Sequence, residues 1–196
     1  MTGPRPRIPA LEPPHTPELA ATLDKWMPPN SGREPLALFR VLARHGELFS
    51  RARPLGAGIL GKGTVAPVLR EVMIMRTCGL TGAEYEWGVH AVAFGTPLGL
   101  PSAQLTSTAH GSASDPVWTD SERAVFQLAD ELHTTSTVSD QLFSALSARF
   151  THEQIIELCL ACGWYHAISY VIGAARIPLE PWAARFPSPV GADSAR

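Results

Sequence analysis

The 196 residues are 45% hydrophobic and carry a formal charge of −2, the balance of a globular chain with its own core. That charge leaves no basic stripe for nucleic acid. The apolar runs fall short of the roughly 18 residues of a spanning helix, and the proline-rich start lacks the apolar stretch of a signal peptide, so no membrane partner and a cytoplasmic location are expected.

Residues 1–15 hold five prolines and are expected to wrap a surface or stay disordered. Thr16-Pro17-Glu18 reads as a helix start, with Thr as the cap and Pro in the first turn. A break at Met27–Gly32 precedes a second helix over Pro35–Arg44. Pro54–Gly63, with four glycines, reads as a loop or a short helix flanked by glycines. From Thr64 an apolar stripe of Val68, Leu69, Val72, Met73 and Met75 marks a helix with Glu71 inside it. Thr81 and Glu84 have the spacing of a capping box, which predicts a new helix from Gly82 to about Gly95. A short helix near Ser102–Thr108 follows. Thr119/Glu122 and Thr151/Gln154 are two further boxes, opening helices to about His133 and over 152–175, with Ser139–Phe150 between them. No stretch alternates with period two. The fold class is therefore all-α, with seven or eight helices, a single domain over 16–186 and a flexible tail at 187–196. A faint echo between Trp87-x2-His90-Ala91 and Trp164-x-His166-Ala167 hints at duplicated helices.

Chemistry concentrates between Glu71 and His90. Glu71 lies in an apolar helix, where a lone carboxylate is costly and needs a partner or a proton. It is either a proton-transfer group or a structural acid paired with Arg70 or Arg76. Glu86 and His90 are four residues apart and share a helix face. A carboxylate beside an imidazole orients it and raises its pKa, making a pair fit to move protons near neutral pH. Two carboxylates with one histidine are thin ligation for zinc, so no metal is expected. Tyr85 and Trp87 point to different faces, one expected in the core and the other lining a cavity or interface. His166 reads as a packed histidine or a site residue. Cys159 and Cys162 form a C-x2-C pair inside an apolar run. Core packing, a redox dithiol and half of a zinc site all remain open for them.

The segment Glu71–His90 followed by Gly95, with Glu84-Tyr85-Glu86-Trp87-x2-His90 within it, resembles the carboxymuconolactone decarboxylase family, which includes the alkylhydroperoxidase D-like proteins. The similarity extends through Trp164-Tyr165-His166 and Ile172-Gly173, over about residues 35–180. It implies an all-α helical domain that assembles as a trimer or hexamer. The peroxidase branch has the pattern E-x11-C-x2-C-x3-H. Counted from Glu71, the two thiol positions fall on Ala83 and Glu86, and the histidine falls on His90. Peroxide reduction by that route needs thiols that are absent here.

The resemblance therefore implies the decarboxylase side of the family. That means proton-transfer chemistry of lyase or isomerase type, without a cofactor, on a small organic acid or lactone. His90 is the expected acid/base, Glu86 its orienting partner and Glu71 a second proton-transfer group. Arg70, Arg76 and Arg44 are candidate carboxylate anchors. Arg76 joins Tyr85, Trp87 and His166 as the expected substrate-contacting set. A thiol peroxidase using Cys159 and Cys162 and a non-catalytic helical module are the rivals.

Overall fold

Thr16 accepts a hydrogen bond from the amide of Leu19 and opens α1 (Pro17–Trp26) as the sequence predicts. The computed structural model describes residues 5–27 and 31–188; the expected break at 27–32 and the tail lie largely outside them. After α1 come α2 (Ala37–Leu42) and α3 (Gly46–Gly61). Next are α4 (Pro67–Leu80), α5 (Glu84–His90) and α6 (Ser102–His110). The chain finishes with α7 (Asp120–Thr135), α8 (Asp140–Ser147) and α9 (His152–Ala175). The fold is all-α, with no strand among the described residues.

The boxes at Thr119/Glu122 and Thr151/Gln154 are both made, each hydroxyl accepting an amide and each N3 side chain returning to the cap amide. Thr81/Glu84 is different. Thr81 ends α4 with helical dihedrals, and its hydroxyl turns back onto the carbonyl of Thr77 at 2.9 Å. An N-cap needs extended backbone, which Thr81 lacks. Gly82 turns the chain with φ +65°, and Glu84 instead accepts the amide of Phe186 at 3.0 Å.

Residues 46–61 are helical throughout, so 54–61 belongs to one long helix rather than to a loop or a short separate helix. The glycines there serve packing as well as turning. A Cβ on Gly56 would sit 2.8 Å from Nε1 of Trp164 on α9, so the bare backbone lets α3 lie close to α9. Helix α9 packs against α3, α4, α7 and α8. Its core-facing side is apolar for that reason, and its far side carries the exposed Ile156, Leu160 and Tyr170. By length and composition it is long and apolar enough to cross a membrane; in this fold Ile155, Leu158, Ala161, Cys162 and Tyr165 put it in the main core.

Helix α4 lies at the centre, against α5, α6, α7 and α9. Val72, Met73, Ile74 and Met75 are fully buried there, each such side chain stabilising by about 1.5–3 kcal/mol. The N-terminal segment wraps the surface as expected: the amides of Arg7 and Ile8 bond to the carbonyl of Ala175, and Leu11 bonds to Arg40. The C-terminal segment crosses α5, where the amide of Ala184 meets the carbonyl of Gly88 at 3.3 Å. A Cβ on Gly88 would run into the carbonyl of Ala184. Gly88→Ala should therefore cost about 1–3 kcal/mol by forced displacement of backbone, read as a lower urea midpoint; an unchanged midpoint would show that this crossing is loose.

Candidate active site

Helix α4 supplies Glu71 and α5 supplies Glu86 and His90, and the contact of the two helices brings all three together. Nδ1 of His90 lies 2.7 Å from Oε2 of Glu71, a short charge-assisted hydrogen bond. Nε2 of His90 lies 3.5 Å from Oε1 of Glu86, one helical turn back. Glu71 is 0% exposed, His90 3% and Glu86 7%. Of the two glutamates, Glu71 is thus the one whose hydrogen bond fixes the imidazole, the role the sequence reading gave to Glu86. The bond places a proton on Nδ1 and leaves Nε2 as the nitrogen directed at Glu86.

Burial by itself would push the His90 pKa down, but the charge and hydrogen bond of Glu71, followed by those of Glu86, outweigh it and raise the pKa to about 9. At neutral pH His90 is an imidazolium between two carboxylic side chains. Arg70 Nε stands 3.6 Å from Oε1 of Glu71, close enough for attraction and too far for a hydrogen bond. Arg70 Nε, Glu71 Oε1 and Glu86 Oε2 are buried with no hydrogen-bond partner among the described residues. Three such atoms around one imidazole are unusual in a packed interior. Phe94 stacks on one side of the His90 ring at 4.9 Å, and Tyr165 meets it edge-on at 5.0 Å.

The expected substrate-contacting residues have other partners. Arg76 Nε bonds to Asp130 at 2.6 Å, and its guanidinium lies over the ring of Phe126. Arg70 is the arginine beside the site. Tyr85 and Trp87 are both buried in the core, where one was expected there and the other at a cavity or interface. The Tyr85 hydroxyl donates to Glu180 at 2.6 Å and accepts the Leu38 amide. Burial and the charge of Glu180 hold its pKa far above the ordinary value. Trp87 Nε1 donates to Thr108 at 2.9 Å. His166 faces His133, with 2.9 Å between Nε2 and Nδ1, a pairing the sequence did not suggest. These two histidines line a groove of about 330 Å³ with Cys159, Cys162 and Tyr170. Trp87–His90 and Trp164–His166 therefore have unrelated surroundings, and their echo carries no common chemistry.

The three thiols are free. Cys78 is fully buried, and its pKa is raised by burial and by the charges of Glu86 and Glu71. Burial also pushes up Cys159 and Cys162. Raised thiol pKa values are the opposite of what a thiolate nucleophile requires. Among the described residues no group of three or more His, Cys, Asp or Glu is arranged to hold a metal ion.

This arrangement of helices is the alkylhydroperoxidase D-like fold. No family model matches the sequence, and no curated protein matches it significantly. Solved structures do. An uncharacterized peroxidase-related protein from Silicibacter sp. TM1040 is similar with a TM-score of 0.77 at 14% identity, over 95% of this chain and 100% of that one. The debrominase Bmp8, solved as a cysteine-to-alanine variant in complex with 2,3,4-tribromopyrrole, is similar with a TM-score of 0.74 at 15% identity, over 89% and 92%. The alkylhydroperoxidase AhpD core from Ralstonia eutropha JMP134, an uncharacterized peroxidase-related protein, gives 0.75 at 14% identity over 89% and 93%.

The raised pKa of His90 links to stability. A group whose folded pKa (about 9) exceeds its ordinary 6.5 stabilises the fold fully below about pH 6.5 and loses that contribution as pH rises through about 9. The urea midpoint of the wild-type chain should fall between pH 6.5 and 9.5 by more than that of His90→Gln. Parallel curves for the two proteins would contradict the ion pair.

Proposed function

We propose that this chain is a cofactor-free proton-transfer enzyme, of decarboxylase or isomerase type, acting on a small organic acid or lactone. The observation that carries this reading is the buried Glu71–His90–Glu86 array. Glu71 locks one imidazole nitrogen, so the proton on Nε2 is the one that can be given away. His90 acts as the general acid and Glu86, with one free carboxylate oxygen, as the base. In a decarboxylation the bond to the carboxylate carbon breaks and its electron pair passes into an enolate. The carbon then takes the proton from Nε2 of His90. In an isomerisation Glu86 removes a proton at one carbon and His90 returns one at another. Arg70 is the candidate anchor for a substrate carboxylate, in place of Arg76.

The thiol route has little support. Ala83 and Glu86 stand at the positions where thiols would be needed, and Cys159 and Cys162 line a separate groove. One observation favours a non-catalytic module: neither this groove nor the concavity at Ser147–Gln154 reaches His90.

The test is turnover of a panel of unsaturated lactones and carboxylic acids, followed by carbon dioxide release and by deuterium incorporation from heavy water. The reading expects activity that falls at least 100-fold in His90→Gln and in Glu86→Gln, and that declines as pH rises through about 9, where His90 loses its proton. Turnover unchanged in His90→Gln would end it, and no activity across the panel would favour the non-catalytic reading.

We also propose a homo-oligomer, the trimer or hexamer that the resemblance implies. Support comes from α9, where Ile156, Leu160 and Tyr170 are 60%, 48% and 67% exposed. With Gly163, Ala167 and Ala174 they recur at alternating spacings of four and three, a seam suited to a neighbouring helix. Size-exclusion should show more than a monomer, and Leu160→Asp should reduce it to one. A wild-type monomer at micromolar concentration would refute the assembly.

A further inference from the structure

We infer that Phe94 is the door of the His90 site, a side chain that must swing away before substrate reaches the imidazole. The inference rests on the proton-transfer reading for its purpose, but its geometry stands independently. Glu71, Glu86, Tyr165 and Phe94 all lie against the His90 ring. Glu71, Tyr165 and Glu86 are buried at 0%, 2% and 7% exposure. Phe94 is only half-buried, so the way to solvent runs past it. Its ring lies nearly flat on the imidazole, at 4.9 Å and 26°, where it covers a face of His90.

Two properties make this cover movable. Phe94 is a large aromatic that packs into none of the three apolar clusters of the core, unlike Tyr165 on the far side of His90. The contacts that would hold a structural phenylalanine in place are therefore few. Its backbone is also irregular. Residues Ala91–Gly95 form a π-helical turn, with the Thr96 amide reaching the carbonyl of Ala91 at 2.9 Å and Leu100 reaching Gly95 at 3.0 Å. Such turns are rare, and they are frequent at functional sites. Gly99, with φ +83°, lies just beyond it.

The glutamates that flank His90, and the Arg70 beside Glu71, keep unpartnered buried atoms: Arg70 Nε, Glu71 Oε1 and Glu86 Oε2. Buried polar atoms without partners cost free energy in the closed form, and a substrate carboxylate or hydroxyl admitted past Phe94 would satisfy them. Closure thereafter excludes water from the charged array and strengthens the interactions within it.

The experiment needs no known substrate. In heavy water the C2 proton of each histidine exchanges at a rate set by its access to solvent deuteroxide, and mass spectrometry of the peptides reads each histidine separately. Phe94→Ala should speed exchange at His90 at least fivefold and leave His110, whose ring meets Phe186 edge-on, within twofold. Phe94→Tyr, which keeps the flat cover, should exchange as the wild type does. An unchanged His90 rate in Phe94→Ala would overturn the inference. So would a parallel rise at His110, which signals general loosening. If Phe94→Ala does not fold, Phe94→Leu is read by the same two criteria. Retained turnover in His90→Gln would defeat the catalytic reading without altering these rates, so the two failures are distinguishable.

Discussion

A carboxylate that is fully buried in the central helix must be compensated, and the 2.7 Å contact between Glu71 and His90 does so. Much of the local architecture follows from that requirement. His90 has to be delivered from α5 to the flank of α4, which needs the tight turn at Gly82. It also needs α5 to be held down from outside, a job done by the C-terminal segment crossing at Gly88. Removing either partner would strand the other charge in a dry interior, a loss of about 3–5 kcal/mol for a buried pair.

The same interaction underlies the proposed chemistry. A neutral imidazole in a core would be a poor acid at pH 7, since burial alone lowers its pKa. Two flanking carboxylates reverse the sign and keep the proton on His90. Glu71 and Glu86 differ by distance, 2.7 Å against 3.5 Å, so Glu71 holds the imidazole more firmly. The fold itself is compatible with other chemistries, as neighbours described as peroxidase-related and as a debrominase illustrate. The functional proposal therefore rests on the residues of this site.

Several elements were misread for identifiable reasons. Glycines at 56, 58, 61 and 63 resemble loop punctuation, yet Gly56 is there because Trp164, more than a hundred positions away, needs the room. Thr81 and Glu84 have the capping spacing, but Thr81 is committed to closing α4 and Glu84 to the amide of Phe186. Arg70, Arg76 and Arg44 are all candidate anchors by sequence, with Arg76 in the expected contacting set, but Asp130 on α7 claims Arg76 and leaves Arg70 beside the site. The signal for Phe94 is an aromatic four residues after a candidate histidine.

What the sequence determined by itself was local. The all-α class, most helix starts and the shared face of Glu86 and His90 follow from spacings within one or two turns, where helical geometry is known in advance. Only the tertiary structure decided which glutamate holds the imidazole, which arginine stands beside it, that Tyr85 and Trp87 are committed to the core, and that His166 belongs to a different groove. Each of these depends on which helices come into contact, and packing across nineteen to ninety-five positions of chain is set by the whole core rather than by any single segment.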